Sequence, residues 1–208
     1  MLTIVFGDVH GPWEDRRAVA LLLDIAEDLQ VDRIIINGDL LDFYNINAHG
    51  ATDKNIETNL HDEIEWAKKF LKDLRERFPN AEIVFVFGNH EFRLDRFVMA
   101  NCPVFMNFLR LDKMLNLKEL DIIWIPYNER FQIDDSQLFV QHSPPSYSEN
   151  LAATSLKKKI DQHHIWNCAH RTDSAVRTGS SGKVYTSYIN GWFGSTGIIE
   201  KNQNEMPE

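Results

Sequence analysis

An apolar run that halts at glycine and passes at once to a carboxylate or an amide occurs three times in this chain: TIVFGD at 3–8, IIINGD at 34–39 and VFVFGN at 84–89. Glycine at such a junction marks a backbone that must turn sharply or let another group come close. Along the chain, short apolar runs alternate with helix-like stretches, which is an α/β pattern. In an open α/β sheet the carboxyl ends of neighbouring strands meet along one edge, and ligands bind there. The polar residues behind Gly7, Gly38 and Gly88 are therefore expected to converge.

Strands are expected at 2–6, 33–37, 82–87, 122–125, 137–141 and 164–167, then at SAVRT (174–178), KVYTSY (183–188) and GIIE (197–200). A helix is expected over 14–29, with Val19, Leu22, Leu23, Ile25, Ala26 and Leu29 as its apolar stripe. A second runs over 59–78, where Leu60, Ile64, Ala67, Phe70, Leu71, Leu74 and Phe78 recur at intervals of three and four, while Asp62, Glu63, Lys68, Lys69, Lys72 and Asp73 lie elsewhere. Such a stripe reads as core rather than as a cofactor site.

With 208 residues, 43% of them hydrophobic, and no internal repeat or linker, the chain is expected to form one globular domain over 1–208. The N-terminal MLTIVFGDVHG has too short an apolar stretch and no basic leader, and no 18-residue apolar run occurs. Neither signal peptide nor membrane span is expected, and the expected location is cytoplasmic. Cys102 and Cys168 make no disulfide framework, which fits a reducing compartment. A net charge of -9 opposes a broad electrostatic grip on a polyphosphate backbone, although carboxylates that hold metal cations would offset it locally.

Residue types that ligate metals follow five of the expected strands: Asp8 and His10; Asp39 and Asp42; Asn89, His90 and Glu91; His142; and Cys168 and His170. One Asp or His behind a strand is ordinarily a turn residue or a helix cap. Five such ends on one edge make a site. In Asp8-Val9-His10 the i, i+2 spacing sends both side chains to the same side of an extended segment, as two ligands of one ion require.

GDVHG, GDLLD and GNHE, in this order and each after an apolar strand, resemble the signature of the calcineurin-like metallophosphoesterases. His142 and the His170 segment resemble its last two blocks, so the resemblance spans about residues 4–175. The continuation GNHEFRLDRF is similar to compact bacterial and phage members. The implied fold is an α/β, layered β-sandwich flanked by helices, with the active site at the carboxyl ends of the strands. The implied centre is dinuclear: Asp8, His10 and His170 on one ion, Asn89 and His142 on the other, and Asp39 between them. Carboxylate, imidazole and amide oxygen suit Mn²⁺ first, with Fe, Zn²⁺ or Ni²⁺ as alternatives, and such ions sit about 3.5–4 Å apart. The implied reaction is hydrolysis of a phosphomonoester or phosphodiester by in-line attack of a hydroxide held between the ions. His90 is the implied general acid and Asp42 the residue that orients it. The expected partner is a phosphorylated substrate, nucleotide and nucleic acid included, with no membrane. Two rival readings are a nuclease-type phosphodiesterase and a scaffold that keeps the fold without the chemistry. Added DNA-binding domains and a basic surface, neither of which is expected from 208 residues with a net charge of -9, would mark the first.

Glu91 is expected to cap or hydrogen-bond near the site rather than react, and Arg93 and Arg96 to lie on a solvated or salt-bridged helix face within reach of a substrate phosphate. The lysines of LKKKI (156–160) read as a solvated face, and adjacent His163 and His164 point to opposite faces of a strand. His49 and His61 are not expected to touch substrate, whereas the insertion FYNINAHGATDKN (43–55) borders the pocket.

The family closes its last strand with Gly-His-x-His, and this chain matches it in two registers. In one, His170 is the first histidine and Thr172 replaces the second. In the other, favoured because the ligand then follows the apolar HIW at once, Asn167 replaces glycine, Cys168 the first histidine, and His170 keeps the second. A Cys168 thiolate would bind Zn²⁺ or Fe; a buried, inert thiol is the competing reading.

Overall fold

The computed structural model describes residues 1–46, 59–145, 147, 150–158 and 161–194. Strands β1 (Thr3–Phe6), β2 (Arg33–Asn37), β3 (Glu82–Val86) and β4 (Ile122–Ile125) form a wholly parallel sheet in that order. Parallel neighbours need crossovers. These are α1 (Arg16–Asp28), α2 (Leu60–Arg77), and α3 (Glu91–Asn101) followed by the short α4 (Leu111–Met114). The period-2 alternation of β2 then decides the layers. Ile34 and Ile36 pack among Val19, Ala67, Leu71 and Val98 of the helices, while Ile35 packs with Val140 of a second sheet and with Ile133.

That second sheet comprises β5 (Phe131–Gln132), β6 (Leu138–Val140), β7 (His163–Trp166), β8 (Asp173–Thr178) and β9 (Val184–Ile189), ordered β5-β6-β7-β9-β8. Its outer face carries α5 (Leu151–Lys158), whose Leu151 and Ala152 pack on Trp166 and Ile189. The result is two sheets face to face with helices outside, an α/β sandwich. No described helix is long and apolar enough to cross a membrane.

The expected strands recur with ends moved by a residue or so, and β5, two residues long, carried too little pattern to be expected. GIIE and His49 lie outside the described residues, as does most of the 43–55 insertion. The stripe of α1 is narrower than its sequence suggested. Val19 and Ala26 are buried, but Ile25 is 44% and Leu29 55% exposed. Ile25 projects about 100° from Ala26 on the helical wheel, and Leu29 is the C-cap beyond the last turn.

Glu63 departs the other way: placed with the polar face by type, it is completely buried, and its Oε2 accepts the Phe43 N–H at 2.6 Å. Four residues before Ala67, it stands on the apolar side of α2. Burial pushes its carboxyl up to about 8 from an ordinary 4.5. Between those values the unfolded chain releases the proton that the folded chain keeps, so stability falls as pH rises, at roughly 1.4 kcal/mol per pH unit. Urea unfolding at pH 6 and pH 8 should therefore show Glu63→Gln gaining on the native chain at the higher pH. A stability difference equal at both pH values would mean that Glu63 is ionised in the fold.

Candidate functional site

Beyond Phe6 the chain leaves β1 and keeps pairing with the segment behind β2: Asp8 N–H donates to Gly38 O at 2.9 Å and His10 N–H to Asp39 O at 3.0 Å. Asp8 and His10 adopt φ of +52° and +51°, so the segment is turned rather than extended as expected from its spacing. Both side chains still reach one cluster, because two left-handed residues flank Val9. Asp39, Cys168 and His170 share this uncommon conformation, at φ +50°, +68° and +51°. Strained backbone gathers where the strands end.

The glycines have specific causes. Gly38 has φ +79°, and a Cβ there would lie 2.3 Å from His142 Nδ1. A Cβ on Gly88 would lie 2.1 Å from Asp39 Oδ1. Glu91, fully buried, ties the turns together: its carboxylate accepts the N–H groups of Gly88 (2.7 Å), Asp39 (2.9 Å), Leu40 (2.8 Å) and Leu41 (3.1 Å). It holds the backbone of two segments and does not enter the cluster.

Two groups of donor atoms that share Asp39 form there, and a third, of Asp42 and His90 with His10, adjoins them. Asp8, His10, Asp39 and His170 place one ligand atom each within 4.8 Å of the others, and Asp39, His142 and Cys168 do the same. Asp8 Oδ1 lies 3.9 Å from the Nε2 atoms of His10, His142 and His170 alike. His10 and His170 set their Nε2 atoms 3.0 Å apart. Asn89 Oδ1 stands 3.1 Å from His142 Nε2 and 2.9 Å from Cys168 Sγ. Thr172, the rival to Cys168, is exposed.

The far sides of these residues are satisfied. His10 Nδ1 pairs with Asp42 Oδ1 at 2.9 Å and His142 Nδ1 with the Asn37 carbonyl at 2.6 Å. Asn167 Nδ2 and the Cys168 N–H both donate to Asp8 Oδ2, at 3.0 and 2.8 Å. Asn37, itself buried, donates to Asn167 Oδ1 at 2.8 Å. Sequence reading passed over Asn37 and Asn167 as supports, though each is the polar residue that ends an apolar strand.

The inward atoms are not satisfied in this way: Asp8 Oδ1 and Asp39 Oδ2 are buried and accept no hydrogen bond. Burial raises the Asp8 carboxyl above its ordinary range, while for Asp39 the opposing pull of His142, His90 and His10 outweighs burial and holds it well below. Burial and the neighbouring His10 push His170 down to about 4, which leaves a neutral imidazole. Buried carboxylate oxygens facing imidazole nitrogens, whose protons a metal displaces, are the donor set of a cation site. The residues therefore fit divalent metal.

His90 lies at the rim. Its Nδ1 is 2.6 Å from the Asp42 carbonyl and 3.3 Å from the Asp42 carboxylate, so Asp42 serves His10 and His90 together. Arg93 is not on a solvated face. Its guanidinium donates to the Asp42 carbonyl and approaches His90 Nε2, both at 2.9 Å, because position 93 lies on the first turn of α3, over the end of the Asp42 segment. Arg96 and His61 are exposed. His163 pairs with Thr186 and His164 stacks on Trp166, both away from the cluster. The described lysines of 156–160, Lys157 and Lys158, are exposed as expected.

A family model described as calcineurin-like phosphoesterase matches residues 1–199. The chain belongs to that family. It is a metal-dependent phosphoesterase, a hydrolase, and its two-sheet sandwich is the fold of the calcineurin-like phosphoesterases. No curated protein matches the sequence. Among solved structures, Pseudomonas putida nuclease MPE is similar over 92% of this chain and 73% of its own, at 16% identity and a TM-score of 0.44.

Proposed function

We propose that this calcineurin-like phosphoesterase is dinuclear and hydrolyses a phosphomonoester or phosphodiester. One observation carries the reading: Asp39 belongs to both groups of converging donor atoms. Asp8, His10 and His170 would hold one divalent ion, Asn89 and His142 the other, with Asp39 shared. Mn²⁺ is assigned first, and Fe, Zn²⁺ or Ni²⁺ suit the same donors. When bound, the pair would activate water for in-line attack at phosphorus and neutralise charge on the phosphoryl oxygens.

The chain's own residues would do the rest. His90, anchored through Nδ1 on Asp42, would pass a proton to the leaving oxygen, and Asp42 would stabilise the charged imidazole. Arg93 would turn its guanidinium from His90 to a phosphoryl oxygen, a stronger partner than a carbonyl or an imidazole. Nucleotides and nucleic acids fall within the proposed substrate class.

The test is hydrolysis of an aryl phosphate and an aryl phosphodiester by metal-stripped protein before and after Mn²⁺ is restored, with bound metal measured on the same samples. Two equivalents of metal and turnover only after restoration are expected. Metal-loaded protein that cleaves neither ester would leave the silent scaffold as the better account.

A further inference from the structure

We propose that Cys168 completes the second ligand group and makes it thiophilic, so that the chain holds two unlike ions: a zinc-class cation among Asn89, His142 and Cys168, and a harder ion such as manganese among Asp8, His10 and His170. The proposal rests on the two-ion reading above.

The argument begins with His142, which is buried and sets Nδ1 2.6 Å from the Asn37 carbonyl. A carbonyl only accepts, so Nδ1 carries the proton there. Nε2 is then the atom left for a metal, and it faces Asp39 Oδ2 at 3.1 Å and Asn89 Oδ1 at 3.1 Å. Cys168 Sγ approaches the same Asn89 oxygen at 2.9 Å. Imidazole nitrogen, carboxylate oxygen, amide oxygen and sulfur thus crowd one point. Asp39, 1% exposed, aims into it an Oδ2 that accepts no hydrogen bond. In the metal-free chain protons lie between such atoms, and a cation that displaces them gains all four as ligands.

The sulfur is held in place from both sides. Cys168 sits in a left-handed conformation, φ +68°, that a non-glycine residue adopts at a cost. Its N–H is fixed 2.8 Å from Asp8 Oδ2, so an oxygen of the first group orients the sulfur of the second. On the outer side Tyr147 Oη stands 3.1 Å from Sγ, where its hydroxyl can donate to a thiolate. A coordinated thiol is deprotonated, and thiolate favours zinc and iron where carboxylate and imidazole accept manganese. Cys102, the other cysteine, packs in the helical core and serves as an internal control.

Cobalt(II) is the probe, added to metal-stripped protein and followed by absorption and by bound equivalents. The native chain should bind two equivalents, only one of which brings a sulfur-to-cobalt charge-transfer band. Cys168→Ala should lose that band and weaken one equivalent by about tenfold or more, leaving the other unchanged. Cys168→His should restore both equivalents without the band and bind Mn²⁺ more tightly, which also shows that the altered turn folds. Cys102→Ala and Thr172→Ala should behave as the native chain. Two equivalents with no band, or a band that survives Cys168→Ala, would overturn the thiolate while leaving the two-ion reading intact. A native chain that binds no cobalt would overturn both.

Discussion

Replacing Asp39 with alanine is expected to remove both metal ions and to reduce phosphoester hydrolysis to that of the metal-free chain. Asp39 is the one residue common to the two donor groups, and its Oδ2 is buried without a hydrogen bond. Deleting it removes the carboxylate that both groups share and leaves Asp8 alone to balance the charge of two divalent cations. Asp8→Ala, which removes a ligand from one group and from the other only a hydrogen bond to the Cys168 backbone, should retain about one equivalent. Element analysis after dialysis separates the cases. Asp39→Ala protein that still holds two equivalents would refute the shared role. Asp39 Oδ1 also accepts the His90 N–H at 2.9 Å, so Asp39→Asn is the companion that keeps this bond while removing the charge.

His90→Ala should lower kcat by about 10²- to 10⁴-fold, the usual worth of a general acid, with metal content unchanged. His90 is in neither donor group that contains Asp39, and its ring is anchored on Asp42. The loss should shrink for a nitrophenyl ester, whose leaving oxygen needs no proton, and grow for an alkyl ester. Equal losses on both esters would assign His90 to binding instead. No turnover of any ester by the native chain, equal to His90→Ala, would deny the chemistry altogether.

What could be read from the amino acids was local. IVFGD, IIINGD and VFVFGN each pack a strand, its end and a ligand-type residue into six or fewer positions, so apolar pattern and glycine announce them together. Glu91 was readable for the same reason, three residues from the Gly88 N–H that it accepts. Glu63 was half readable: its spacing put it on the apolar side of α2, but its residue type argued for water. Arg93 was not readable, because helix periodicity gives a face and says nothing of the Asp42 carbonyl, 51 residues away, over which that face lands.

The sequence by itself determined the strand ends, their chemistry and, through resemblance, the family. Only the tertiary structure decided who faces whom. Asn89 meets Cys168 across 79 residues, His10 meets His170 across 160, and Asp42 is shared by two histidines on different segments. These contacts depend on how two twisted sheets stack and on left-handed turns at Asp8, Asp39 and Cys168, which are set by packing and hydrogen bonds over long separations rather than by any local propensity.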